Sequence, residues 1–293
     1  MSRLFCLVSM CSLLAACGPK ELQPDDAAQC AQCDDWNLPI DPFRIYGNTW
    51  YVGMDGLSSI LIETDAGLIL IDGGLPQSAA LIEASIRKLG FDAREISAIL
   101  LSHAHFDHAG GIAALQRLSG ASVYASDNAG KALSTGTLQD NDPQFMHTSM
   151  SSSFPAVAKV EAVGNGEVVT IGAVEIRAVH TPGHTPGGVT WTWQSCVLST
   201  CYDIVYADSL SAVSAAGFHF SGGQAEKNLK ESAAIISALD CDIFLSPHPF
   251  FFGMHEKLER RDDGNPFVND VACMMYTENS LGWLQQRLRA EGI

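Results

Sequence analysis

Positive charge is what this chain has least of. Seventeen lysines and arginines stand against 33 aspartates and glutamates, a formal net charge of −16. No basic cluster and no interleaving of basic with aromatic residues appears, so a polyphosphate would meet repulsion, and nucleic acid is excluded as a partner. Long apolar runs are also missing. Beyond the first seventeen residues no stretch reaches the roughly 18 uninterrupted apolar residues that a spanning helix needs, which leaves lipid as the one membrane anchor open to the chain.

The N-terminus is where an apolar run begins. Arg3 is the only charge in a segment that runs through Leu4-Phe5-Cys6-Leu7-Val8 and ends Leu14-Ala15-Ala16-Cys17. Residues 1–16 read as a signal peptide, too short to span as a helix. The last four residues also resemble a bacterial lipobox, which implies cleavage before Cys17 and lipid on it; ordinary cleavage nearby is the alternative. The expected location is periplasmic, anchored to the bacterial membrane through Cys17.

Removing the leader and Cys17 leaves Cys30, Cys33, Cys196, Cys201, Cys241 and Cys273, an even number in an exported chain, which points to disulfides. Spacing favours Cys196 with Cys201 and Cys241 with Cys273. Cys30 and Cys33 pair by elimination, with zinc binding or redox shuttling as the alternative uses of Cys-x-x-Cys.

Residues 17–40 are rich in Asp, Gln, Ala and Pro and read as a lipidated tether and loosely packed arm, with Trp36 as an anchor onto the surface or the lining of a cleft. Residues 41–293 form one α/β domain. Phe43 to Ile71 is a meander of short strands, and Leu81, Ile82, Ile86 and Leu89 mark a helix. Asp127 is placed as an N-cap. Thr135 to Phe154 is an irregular loop long enough to be a cover, whose Phe145, Met146 and Phe154 either wall a pocket or pack on the body. Val168–Ile171 and Val174–Val179 alternate as a hairpin, Ile243-Phe244-Leu245 is a buried strand, and Val271–Leu288 a terminal helix. Strands then helix, repeated in each half, give two packed sheets with helices outside.

The densest chemistry is Ser102-His103-Ala104-His105-Phe106-Asp107-His108-Ala109-Gly110-Gly111, three imidazoles and a carboxylate within six residues, following the apolar strand Ile96–Leu101 and preceding a helix. In extended backbone His103 and His105 share a face and can reach one cation, while Asp107 and His108 aim elsewhere and can serve a second. Asp72 lies at a neighbouring strand end and is assigned to orienting this loop rather than to ligation.

His103-x-His105-x-Asp107-His108 resembles the signature loop of the metallo-β-lactamase superfamily. Further matches are Leu70-Ile71-Asp72-Gly73-Gly74, Thr181-Pro182-Gly183-His184-Thr185-Pro186-Gly187, Tyr206-Ala207-Asp208-Ser209-Leu210-Ser211 and Ser246-Pro247-His248-Pro249. The resemblance implies a four-layer αβ/βα sandwich and two zinc ions, one on His103, His105 and His184, the other on Asp107, His108 and His248. It selects His184 over His180, which is taken as structural together with His147, His219 and His255. Two such cations can lower the pKa of a shared water from about 15.7 toward about 7 and supply the nucleophile, with Asp107 as the catalytic residue that orients it.

Histidine at 108 and Ser209-Leu210-Ser211 are most similar to the third lactamase subclass, B-three, in which the two serines bind the substrate carboxylate. A small-molecule β-lactam substrate and a monomer are the expectation. The competing enzyme reading is a glyoxalase II-like thioesterase or a lactonase, for which Asp208 would bridge the metals. The reading outside catalysis is a zinc-binding lipoprotein, against which the full set of six ligands argues.

Overall fold

The computed structural model describes residues 20–146, 153–261 and 264–292. Its first sheet holds β1 (Phe43–Tyr46), β2 (Thr49–Tyr51), β3 (Ile60–Thr64), β4 (Gly67–Ile71), β5 (Ile96–Leu100), β6 (Ser122–Ala125) and β7 (Val160–Ala162), adjacent in that order. The first four pair antiparallel, tight turns joining β1 to β2 and β3 to β4 and a loop of residues 52–59 joining β2 to β3. From β4 to β7 the pairing is parallel, each connection crossing over through helix or loop.

The second sheet runs β12-β11-β10-β9-β8, from β8 (Val168–Ile171), β9 (Val174–His180), β10 (Val189–Val197), β11 (Thr200–Tyr206) and β12 (Ile243–Leu245). Helices α2 (Ser78–Lys88), α4 (Ile112–Ser119) and α5 (Asp127–Thr135) cover the outer face of the first sheet; α6 (Gln224–Ser237) and α8 (Ala272–Ala290) cover the second.

Period-two alternation divides the apolar residues between two cores. Ile60, Ile62, Ile69, Ile71, Ala98 and Leu100 face the second sheet, where they meet Ile176, Ala178 and Trp191. Leu61, Leu68, Leu70 and Ile99 face the helices, against Ile82, Ile86 and Leu115. Both strand faces are buried, which is why these strands are almost uninterrupted in Ile and Leu. Trp191 is fully buried and donates its indole N–H to the Leu101 carbonyl at 3.0 Å, locking the two sheets together beside the metal loop. The result is the expected αβ/βα sandwich.

Several local expectations change. The segment 20–40 is docked rather than loose: Ala28 and Gln77 exchange two hydrogen bonds, Arg117 pairs with Asp25 at 2.9 Å, and Cys33, which opens α1 (Cys33–Trp36), is buried. The cap of α5 is Ser126, whose hydroxyl accepts from the Ala129 amide, and Asp127 is the first helical residue. Strand β7 was not expected, being three residues long at the sheet edge. All three cysteine pairs, Cys30–Cys33, Cys196–Cys201 and Cys241–Cys273, are disulfides. His147 and Cys17 lie outside the described residues.

Candidate metal centre

The carboxyl ends of five strands converge at one edge of the sandwich, and each delivers a part of the centre. After β5 the backbone runs extended through His103 and His105, then turns into α3 (Phe106–Ala109), which begins with His105 as its cap. That single helical turn, not foreseen in the sequence, rotates Asp107 and His108 away from the first two imidazoles. His184 follows β9, Ser209 and Ser211 follow β11, and His248 follows β12.

Asp72, at the end of β4, holds this edge in place. Its backbone is left-handed, φ 61°, a strained choice for a residue with a Cβ. Its carboxylate accepts from the Ser102 amide (2.8 Å), the Ser102 hydroxyl (2.7 Å) and the Tyr206 hydroxyl (2.8 Å). The first sheet's metal loop and the second sheet's β11 are thereby tied to one buried side chain, the orienting role expected of it.

The six histidine and aspartate side chains fall into two groups. His103, His105 and His184 are buried with ring centroids 4.8 Å apart on all three sides, nearly edge to face. In the second group Asp107 Oδ2 lies 3.3 Å from His108 Nε2 and 3.5 Å from His248 Nε2. Within each group one ligand atom per residue lies within 4.8 Å of the others.

Outer partners fix which nitrogen each ring presents. His103 donates from Nδ1 to Asp208 Oδ1 at 2.7 Å, and His105 from Nε2 to Asp142 Oδ1 at 3.2 Å. His184 Nδ1 donates to the Ser211 carbonyl at 2.9 Å and His248 Nδ1 to the Gly56 carbonyl at 3.1 Å. The remaining nitrogens are left for the centre. His103 Nε2 is buried without any hydrogen-bond partner, a cost of about 1–3 kcal/mol unless a ligand satisfies it; His108 turns its Nδ1 toward Asp72, 4.0 Å away, which leaves Nε2 to the centre. These donor sets fit metal ions, with three neutral imidazoles in one group and two plus a carboxylate in the other.

At His103, His184 and Asp107 protonation agrees with that chemistry, while His108 is raised above the usual histidine range, its burial outweighed by Asp107 and Asp72. Burial, reinforced by the neighbouring imidazoles, pushes His103 well below the usual histidine range and His184 down to about 3, so both stay neutral donors. Burial works against the Asp107 anion, yet His108 and His248 hold its carboxyl well below the usual range.

The sequence profile of the metallo-beta-lactamase superfamily matches residues 52–248. The chain belongs to that superfamily. Among solved metallo-beta-lactamases, Rm3 superposes with a TM-score of 0.87 at 42% identity, covering 91% of this chain and 100% of its own. MEM-A1, a subclass B3 metallo-beta-lactamase isolated from a soil metagenome library, gives 0.84 and 44%, covering 88% and 98%. Among curated sequences the probable metallo-hydrolase YqgX of Bacillus subtilis (strain 168) is 27% identical over 232 residues, 79% of this chain and 96% of its own.

Within this metallo-β-lactamase fold the six metal-binding candidates picked from the sequence come together, and His180, His219 and His255, set aside there, do not join them. His180 Nε2 donates to the Val163 carbonyl, 3.0 Å away, and His219 and His255 lie beside the carboxylates of Glu291 and Asp55. Ser209 is buried, and the Ser211 hydroxyl lies 3.0 Å from His184 Nδ1. A serine nucleophile is not part of the centre. The chain does contain one Ser-x-x-Lys spacing, Ser85 to Lys88, but it ends α2, where Lys88 pairs with Asp41.

Asp208, which the competing reading put between the metals, stands behind His103, outside both groups. Two participants escaped the sequence reading. Asp142 comes from the Thr135–Phe154 loop, whose polar composition gives no sign of a buried carboxylate. Gln144, from the same loop, brings its amide to 3.4 Å from His105 Nδ1. Phe145 and Phe154 pack against the helix-side core, so that loop approaches the centre with polar residues. Trp36 is both anchor and neighbour, its ring 5.3 Å from His248.

Proposed function

We propose that the protein is a zinc-dependent β-lactamase of subclass B3 that opens the β-lactam ring of penicillins, cephalosporins and carbapenems. The observation that carries this reading is the pair of donor groups, three histidines beside Asp107, His108 and His248, in a chain about 40% identical to B3 enzymes over nearly its whole length.

Two zinc ions are the proposed cofactors, His103, His105 and His184 holding one and Asp107, His108 and His248 the other. Bound there, they would acidify a shared water and polarise the scissile carbonyl. The chain's own groups do the rest. Asp107, kept anionic, presents one carboxylate edge to His108 and His248 and orients the attacking water. Asp208 and Asp142 hold the His103 and His105 rings in the tautomers that offer inward lone pairs. Ser209, and Ser211 beside His184, receive the substrate's carboxylate. The thioesterase or lactonase alternative needed Asp208 between the metals, and its contact with the outer nitrogen of His103 weighs against that.

The protein is further proposed to act as a monomer in the periplasm, tethered by lipid on Cys17, with resistance to β-lactams as the phenotype. The deciding assay is turnover of a chromogenic cephalosporin and of a carbapenem, both lost on chelation and regained with zinc. Full zinc occupancy with cleavage of a thioester and of neither lactam would move the assignment to the alternative.

A further inference from the structure

Phe250 is 64% exposed, in a protein that buries most of its large apolar side chains. It lies two residues past His248, with its ring centroid 5.4 Å from that imidazole. Phe251 packs 4.2 Å behind it, and Trp283 of α8, 41% exposed, lies 5.6 Å beyond Phe251. Trp36 also packs on His248, with ring centroids 5.3 Å apart. Gly56 makes its approach possible: a Cβ there would sit 2.7 Å from Trp36 Cα, and the Gly56 amide donates to the Trp36 carbonyl at 3.2 Å. His248 is therefore lined by aromatic surface, part of it open to solvent, where exposed apolar area usually marks a binding face.

The other donor group has polar neighbours instead, Gln144 at His105 and Ser211 at His184. A small substrate that carries a carboxylate at one end and an apolar substituent at the other has one favourable way to lie across this gradient. Its carboxylate goes to the serines, its reactive carbonyl to the centre, and its apolar substituent toward His248. We propose that Phe250, with Trp36 beside His248, is the platform for the apolar acyl substituent of the substrate, and so determines specificity among lactams that share one ring system. The inference rests on the β-lactamase reading above. Contact with an aromatic face scales with the apolar area it covers, so a bare ring system gains nothing from Phe250 while an arylacetyl group gains much.

The test compares benzylpenicillin, which carries a phenylacetyl group, with 6-aminopenicillanic acid, which has the same fused rings and a free amine. In the zinc-loaded enzyme Phe250→Ala should raise KM for benzylpenicillin about tenfold, the loss of roughly half a phenylalanine's contact, but for 6-aminopenicillanic acid less than about twofold. Phe250→Trp should restore benzylpenicillin, and zinc content should match wild type in both variants. Equal losses on the two substrates would overturn the proposal, since they would mean that His248 itself had been disturbed. So would unaltered KM values accompanied by a change in sedimentation, which would make this face a contact between two copies. A wild-type enzyme that turns over neither lactam would instead refute the β-lactamase reading, and this inference with it.

Discussion

Asp208→Asn offers the sharpest test of how the centre is held. The wild-type carboxylate accepts a 2.7 Å bond from His103 Nδ1 in a fully buried setting, and a charge-assisted bond of this kind is worth about 1.5–3 kcal/mol. Asparagine keeps the volume and one acceptor but removes the charge, so the imidazole becomes a weaker donor to a metal. Loss of such an outer partner typically costs 10- to 100-fold in metal affinity, or about 1.4–2.7 kcal/mol. The loss should fall on the group containing His103 and spare the one containing His248. Gly188→Ala reaches the same contact from behind: a Cβ at 188 would lie 2.1 Å from Asp208 Oδ2 and 2.7 Å from the Thr181 carbonyl, so the carboxylate must swing off His103. Stepwise zinc titration against a competing chelator, resolving the two affinities, is the assay. If both variants keep wild-type affinity at the tighter and the weaker step, the outer-partner argument is wrong. If Asp208→Asn loses both ions together, Asp208 belongs between the metals and the lactonase-like alternative revives.

Other outcomes follow from the same geometry. His105→Ala should lose one zinc and nearly all turnover while His180→Ala keeps both ions, and a metal lost from His180→Ala would show the ligand register to be misread. Glu291 joins the end of α8 to the 218–221 loop through Arg287 Nε at 2.6 Å and the Ser221 amide at 2.9 Å; against the cost of desolvation these bonds hold its carboxyl at about 2, below the ordinary 4.5. Because the folded chain binds that proton less readily than the unfolded chain, the stabilisation is complete above pH 4.5 and lost as pH falls toward about 2. Urea melts at pH 5 and pH 3 should therefore differ less in Glu291→Gln than in wild type, and equal differences would refute the assignment. Cys17→Ala should release the protein from the membrane fraction, and a wild-type protein that is already soluble in the periplasm would refute lipidation.

The strands were legible because both of their faces are buried. Ile60 to Ile62, Leu68 to Ile71 and Ile96 to Leu101 carry an apolar signal too strong to be read otherwise. The six metal-binding candidates were legible because they sit in short dense motifs. Their outer partners were not. Asp142 is one of two aspartates in an irregular loop, and only the folded path of that loop brings it under His105. The Gly56 carbonyl that holds His248 carries no side-chain signal at all. Asp208 and Ser209 are adjacent at the end of β11, and only the fold shows that Asp208, which the competing reading put between the metals, stands behind His103. The docking of residues 20–40 was hidden for a similar reason: a polar composition that reads as solvated is here satisfied by Gln77 and Arg117.

The two donor groups draw on both halves of the chain, the first sheet giving His103, His105, Asp107 and His108 and the second giving His184 and His248. Neither group is complete until the sheets have docked. A metal bound there would brace the docked arrangement thermodynamically. An ion that recognises only the finished arrangement adds stability as RT ln(1 + [L]/Kd), about 4 kcal/mol when free metal is a thousandfold above Kd. Zinc starvation would then act on abundance as well as on rate, since the apo chain opens more often along the seam between its sheets.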